Sequence, residues 1–308
     1  MEKTLVELIR FYTLHSPFRK GKSRAMSLAL RLSAGLPDET VVTIRDGRRV
    51  CVDLRGAPGM YETVYFLGEY ERIITRIINA LVKPGDVCLD IGANFGWYTT
   101  LLFRLCGTTG QVHAFEPVPE IFARLEKNIG LTEKATSVFI NNLALGDKPG
   151  RARMHVFAGL PNGHSSLSAQ GRADYFSVEV SVSTLDAYLN KHELNQVNIV
   201  KCDVEGAELQ VLRGAQGLFR QAIPPIWIME MSKGTSTSFG HLPNDLIVHM
   251  KAQADYEFYR IDELTGALMP FQSFAQEDPG ANVLCVPALH YRDRLASATR
   301  ALASKHSL

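Results

Sequence analysis

Val87-Cys88-Leu89-Asp90-Ile91-Gly92-Ala93-Asn94-Phe95-Gly96 decides how this chain is to be read. A short apolar run ends in an acid, a glycine-rich turn follows, and Trp97-Tyr98-Thr99-Thr100-Leu101-Leu102 then reads as helix. In a doubly wound sheet the ligand lies beyond the carboxyl ends of the strands. Glycines there let it approach the backbone, and the first N–H groups of a helix point towards it. A dinucleotide fingerprint would read G-x-G-x-x-G. Here Gly92 and Gly96 give G-x-x-x-G, with Asp90 ahead of them. An acid at that point suits a cationic or amine-bearing ligand better than a diphosphate.

Working outward, strands and helices alternate. Residues 111–115 form a second strand, 120–129 a helix and 137–140 a third strand, so the core is an α/β, doubly wound, largely parallel sheet. Upstream, residues 1–36 read as helices and 41–54 as a β-hairpin around Asp46-Gly47. A helix with Ile73, Ile74, Ile77, Ile78 and Leu81 on one face stops at Lys83-Pro84-Gly85. Downstream, 151–157 and 177–182 alternate apolar and polar residues like an inserted antiparallel hairpin, with a polar loop at 159–171 between them. The rhythm resumes with a strand at 198–203, a helix at 207–213 with Gly214 as its C-cap, and a strand at 226–231. Asn244 is read as the cap of a helix running to about 254. Residues 256–261 are a strand, 262–266 a turn, 282–286 the final strand, and 291–308 a polar helical tail. The expected division is an N-terminal helical and hairpin extension (1–60), a ligand-binding domain (61–290) and the tail (291–308).

Composition bounds the partners. The 308 residues carry 33 basic and 32 acidic side chains, net +1, which gives no general attraction to nucleic acid, and none is expected as a partner. Five scattered cysteines without a C-x-x-C pair suggest a reducing, cytoplasmic setting. No apolar stretch approaches the length of a transmembrane helix. Residues 1–14 have amphipathic-helix spacing, and Arg19, Lys20, Lys22, Arg24 and Arg31 follow. That basic cluster is read as a solvated helical face; the alternative is contact with a membrane surface or nucleic acid. The hairpin and N-terminal helices offer surfaces for a homodimer.

Three further acids stand at predicted strand ends. Glu116, in Ala114-Phe115-Glu116-Pro117, can accept hydrogen bonds from both hydroxyls of a ribose. With Asp90 it points to a nucleoside carrying a positive charge, and S-adenosylmethionine has both a sulfonium and an amino group. The plain alternative is that both acids cap helix N-termini. Lys201-Cys202-Asp203-Val204-Glu205-Gly206-Ala207-Glu208 delivers Lys201, Asp203 and Glu205 to the same sheet edge. Asp203 is the first candidate for general base or substrate ligand, with Lys201 and Glu205 supporting; alternatively Glu205 and Glu208 occupy a helix's first turn. Glu230 closes the strand Ile226-Trp227-Ile228-Met229-Glu230, and with Asp203 it makes a candidate Mg²⁺ pair. His164, in the polar loop, is a candidate substrate contact or alternate base.

Taken in order, Asp90-Ile-Gly-Ala-Asn-Phe-Gly-Trp97-Tyr98, Phe115-Glu116-Pro117, Asn142-Leu-Ala-Leu-Gly146-Asp147 and Lys201-Cys-Asp203-Val-Glu205-Gly206-Ala-Glu208 resemble the successive blocks of FkbM-type methyltransferases, as does the upstream Gly68-Glu69-Tyr70-Glu71. The likeness runs over about residues 41–287. It implies a class I, Rossmann-like fold with a seven-stranded sheet whose last strand is antiparallel. It also implies S-adenosylmethionine as cofactor and O-methylation of a small molecule or sugar. Carried over by position, Asp90, Gly92 and Asn94, with Gly96 and Tyr98 beside them, would line the methionine end. Glu116 and Pro117 would hold the ribose, and Asn142, Leu143 and Ala144 would edge the adenine. The acceptor is then a small molecule or carbohydrate. The rival readings are a protein or nucleic-acid methyltransferase, a nicotinamide-dependent oxidoreductase and a non-catalytic nucleoside-binding module.

Overall fold

The computed structural model describes residues 2–16, 18, 20–32, 36–54, 59–157, 165–166 and 175–303. In chain order, α1 (Glu2–His15), α2 (Lys22–Leu30), the β1 (Glu39–Thr43)–β2 (Arg49–Asp53) hairpin, α3 (Met60–Leu67) and α4 (Arg72–Leu81) come first. Then β3 (Val87–Ile91), α5 (Trp97–Cys106), β4 (Gln111–Phe115), α6 (Pro119–Gly130) and β5 (Val138–Asn141) alternate. β6 (Ala144–Leu145), β7 (Gly150–Phe157), β8 (Ser165–Ser166) and β9 (Tyr175–Ser183) interrupt the alternation. It resumes with α7 (Leu185–Lys191), β10 (Ile199–Cys202), α8 (Glu208–Arg213), α9 (Gln216–Phe219), β11 (Ile226–Ser232), α10 (Lys233–Ser236) and α11 (Pro243–Gln253). β12 (Tyr256–Ile261), β13 (Leu268–Phe271), β14 (Gly280–Pro287) and α12 (Arg292–Ala303) complete the chain.

The main sheet runs β13-β12-β14-β11-β10-β3-β4-β5. β3, β4, β5, β10 and β11 pair in parallel, and β14 enters antiparallel between β11 and β12. The sheet is largely parallel, and its last strand β14 is reversed, as expected. It has eight strands rather than seven, because β13 adds an antiparallel edge on β12. Its residues, Leu268-Met-Pro-Phe271, are half to fully exposed and contain a proline, so no alternation announced a strand there; an edge tolerates that proline. The inserted hairpin also differs from a simple pair. β7 and β9 join β6 and β8 in a separate four-stranded sheet, order β6-β9-β7-β8, beside the main one.

Burial on both faces explains why the central strands read as unbroken apolar runs. On one face α4 and α5 pack with the hairpin, α3 and α12; on the other, α7, α8, α9 and α11 cover Val200, Trp227 and Met229. α12 is anchored: Ala298 and Leu302 are buried, Arg76 donates to the carbonyl of Ala301, and Arg294 pairs with Asp86 through its two terminal guanidinium nitrogens. One cap reading is corrected. The N-cap of α11 is Leu242, whose N–H donates to Asp245, while Asn244 instead grips both backbone groups of Phe274. Gly214 is the C-cap of α8 as expected, at φ −85°, so no left-handed conformation selects glycine there. Space does, since a Cβ would lie 2.1 Å from the carbonyl oxygen of Gly146.

Candidate active site

The turn after β3 is built by close approach. Gly92 has φ +82°, and a Cβ on it would lie 1.9 Å from the carbonyl oxygen of Asp203, so the β3 and β10 ends meet backbone to backbone. The N–H groups of Gly92 and Ala93 both donate to the carbonyl of Phe115, which ties the turn to β4 as well. Gly96, the N-cap of α5, is also left-handed at φ +91°. Asp90 lies behind this turn at 1% exposure, accepting from the Thr99 hydroxyl at 2.6 Å. Burial raises its carboxyl to about 6, with the Thr99 hydrogen bond opposing.

In front of the turn opens a pocket lined by Gly92, Asn94, Glu116, Pro117, Asp203 and Glu205 at its polar end, and by Ile121, Leu143, Ala144 and Met154 at its apolar end. Glu116 accepts from the backbone N–H of Asn94 at 3.0 Å and of Val118 at 2.9 Å, using one oxygen for each. Burial pushes its carboxyl up to about 7, and those two bonds pull the other way. Glu116 thus ties the turns ahead of α5 and α6 together rather than capping their first-turn N–H groups, and each oxygen keeps lone-pair capacity for a ligand. Asn142 does not line the pocket: its amide donates to the carbonyls of Glu116 and Pro117, both at 2.9 Å, and so braces the wall.

Behind Gly92 and Asn94 lies a second cavity, lined by Met60, Tyr70, Glu71, Trp97, Tyr98, Lys201, Asp203, Glu205, Glu230 and Asn282. The two spaces share Gly92, Asn94, Asp203 and Glu205 as a common wall. Lys201 is buried at 1% exposure, and its ammonium lies 2.9 Å from Asp203 Oδ2. Burial would lower its pKa, but Asp203 and Glu71 more than offset that and hold it above the usual lysine range. Its ammonium is also 5.4 Å from the centre of the Tyr98 ring, and the Tyr98 hydroxyl donates to Glu71. The negative charge of Asp203, then burial, raises Glu230 well above the carboxylate range. Asp203, Glu205 and Glu230 each offer a carboxylate oxygen within 4.8 Å of the others, a spacing a metal ion could use.

Strain gathers in the same wall. Six described non-glycine residues have positive φ, and three of them, Glu71 (φ 39°), Asn94 (φ 51°) and Glu205 (φ 55°), line the inner cavity. A left-handed glutamate costs about 1–3 kcal/mol and persists where surrounding structure enforces it. Glu208, read as a helix-dipole residue, is buried; it accepts from the N–H groups of Val204 and Gly206 and fixes the loop that carries Glu205. His164 lies outside the described residues. Sequence reasoning gave no role to Tyr70, Glu71, Met154 and Asn282. Glu71 stood in a quoted motif, but only tertiary contact with Tyr98 and Lys201 reveals its use.

A model of the methyltransferase FkbM domain matches residues 90–258. Hexuronic acid methyltransferase AglP of Haloferax volcanii is 30% identical over 145 residues, which is 47% of this chain and 56% of that protein. The 2-O-methyltransferase NoeI of Sinorhizobium fredii is 27% identical over 159 residues, 47% of this chain and 63% of its own. The 31-O-demethyl-FK506 methyltransferase FkbM of Streptomyces tacrolimicus is 29% identical over 163 residues, 44% and 61% respectively. The chain therefore spans less than two thirds of the length of each of these relatives.

Proposed function

This chain belongs to the methyltransferase FkbM-domain family, and from that premise we propose that it transfers a methyl group from S-adenosylmethionine to a hydroxyl of a small molecule or sugar. The observation that carries the reading is the shared wall of Gly92, Asn94, Asp203 and Glu205 between two cavities. One cavity takes the donor, the other the acceptor, and the reacting atoms meet where they join. Relatives named for sugar and hydroxyl methylation support the acceptor class.

The residues fit the cofactor. Gly92 lines the pocket without a side chain, the apolar slot of Ile121, Leu143, Ala144 and Met154 suits a purine face, and Glu116 at the polar end suits a ribose diol. Asp90, sealed behind the turn, would place negative charge near a sulfonium without touching it. S-adenosylmethionine, when bound, supplies a methyl group on positively charged sulfur.

The chain's own residues position the acceptor and take its proton. Asp203, ion-paired with Lys201 on one side and beside Glu230 on the other, accepts the hydroxyl proton as the oxygen–methyl bond forms. Holding the hydroxyl in line would contribute roughly 7–11 kcal/mol in a favourable case. Asp203 keeps its ion pair with Lys201, and its charge together with burial raises Glu230 so that Glu230 holds a proton beside it. We therefore read a proton rather than Mg²⁺ between those carboxylates, and chelation with EDTA is expected to leave turnover unchanged.

Glu71, Asp203, Glu205 and Glu230 face the inner cavity against the single buried ammonium of Lys201. That balance suits neutral or amine-bearing acceptors and opposes a carboxylated one, in contrast to the hexuronic acid in the name of one relative. The test is incubation with methyl-labelled S-adenosylmethionine and a panel of neutral, cationic and acidic polyols. Label on neutral or cationic hydroxyls is expected. Label on acidic sugars alone would overturn the charge argument, and cofactor binding without turnover on any acceptor would reduce the protein to a nucleoside-binding module.

A further inference from the structure

The N-terminal helices expose apolar surface that the proposed reaction does not use. Of fifteen large apolar side chains exposed among the described residues, six fall within residues 5–28: Leu5, Leu8, Phe11, Tyr12, Phe18 and Leu28. α1 is firmly seated by its other face. Val6, Ile9 and Thr13 are buried, the Thr13 hydroxyl donates to the Phe66 carbonyl, and Tyr65 donates to Glu7. With that side fixed on α3, the helical repeat turns Leu8 and Phe11 outward, 62% and 65% exposed, with Leu5 and Tyr12 on the flank. A merely solvated face would not carry them.

Charge lies next to this stripe. Residues 2–32 hold seven basic side chains against two acidic ones in a chain whose net charge is +1, so the remainder is net negative. Lys3, Lys20, Arg24 and Arg31 are all exposed. A Cβ on Gly21 would lie 3.7 Å from the Tyr12 hydroxyl, which puts the basic turn into α2 against the aromatic edge of the stripe.

We propose that the outward face of α1, with the basic turn leading into α2, is a docking surface for an anionic lipid bilayer. Leucine and phenylalanine would enter the headgroup boundary while lysine and arginine meet the lipid charge, the pattern of an interfacial helix. Nucleic acid would leave the leucines without a role. A second copy of the chain would bring two positively charged segments together. The surface lies on α3, whose Met60 lines the inner cavity, so docking would leave the acceptor side one helix away from the lipid.

The test is co-sedimentation of the full chain with vesicles of phosphatidylglycerol mixed with phosphatidylcholine, and with phosphatidylcholine alone. Binding to the mixed vesicles that added salt weakens is expected. Lys20→Glu with Arg24→Glu should weaken it about tenfold or more. Leu8→Ser with Phe11→Ser should weaken it on the order of tenfold. Both double variants should keep the parent's thermal melt and cofactor binding, because the substituted side chains face solvent. Three results would overturn the proposal: no sedimentation of the parent with mixed vesicles, sedimentation indifferent to Leu8→Ser/Phe11→Ser, or a dimer in ultracentrifugation that this variant disperses, which would assign the face to a second copy.

Discussion

The outer pocket, which we assign to the methyl donor, and the inner cavity share a wall but are assembled differently. Glu116, the charged residue peculiar to the outer pocket, follows β4, one crossover from the glycine turn. That carboxylate is satisfied by backbone, taking the N–H groups of Asn94 and Val118. The inner cavity draws Glu71 from the start of α4, Tyr98 from α5, Lys201 from β10, Glu230 from β11 and Asn282 from β14. Its carboxylates are balanced by other side chains. A pocket held by backbone is rigid and recurs as a local motif. A cavity held by mutual side-chain charge can change its acceptor through single substitutions.

That contrast yields graded expectations. Asp203→Asn, at the shared wall, should cost most, about 10²–10⁴ in turnover. An asparagine keeps an acceptor for Lys201, so circular dichroism should show an intact fold. Turnover near the parent's would remove Asp203 from the chemistry. Gly92→Ala strikes the point where β3 and β10 touch. The Cβ clash and the positive φ should destabilise the protein by about 2 kcal/mol or more in denaturant titration and abolish detectable cofactor binding.

Glu116→Gln separates the halves by pH. Burial raises Glu116 to about 7 and Asp90 to about 6. A raised carboxyl stabilises the fold below its unfolded pKa, and that contribution is lost as pH rises through the folded value. The cofactor-free protein should therefore lose stability between about pH 4 and 7 on account of these groups. Cofactor affinity should move the opposite way, because on the proposed reading the ribose hydroxyls donate to the ionised Glu116 carboxylate. It should weaken about tenfold from pH 8 to pH 6, and Glu116→Gln should flatten that profile. Glu71→Gln is the smallest and most selective change. Acceptor kcat/KM should fall roughly threefold to tenfold, in the range of one ordinary hydrogen bond, with cofactor affinity unaltered. A shift in cofactor affinity would blur the division between the halves.

The same contrast explains what could be read from the residues alone. The strand–turn–helix at 87–102 declares itself locally, because a doubly buried strand must be apolar and a close backbone approach must use glycine. Glu116, Asp203 and Glu230 were legible as acids ending apolar strands. Glu71 was not, since its partners Tyr98 and Lys201 stand far along the chain and no periodicity links them. Asn142 was placed correctly at a strand end, but whether its amide would face a ligand or brace a wall depends on side-chain direction. β13 was illegible because its residues are exposed and include Pro270, so burial wrote no pattern there.

The most direct test of the central claim is calorimetric titration with S-adenosylmethionine and with its demethylated product, in parallel with Asp90→Ala and Glu116→Ala. One-to-one binding of both ligands to the parent chain, weakened by each substitution, is the predicted result. A well-folded parent that binds neither would contradict the assignment of the outer pocket and the methyl transfer built on it.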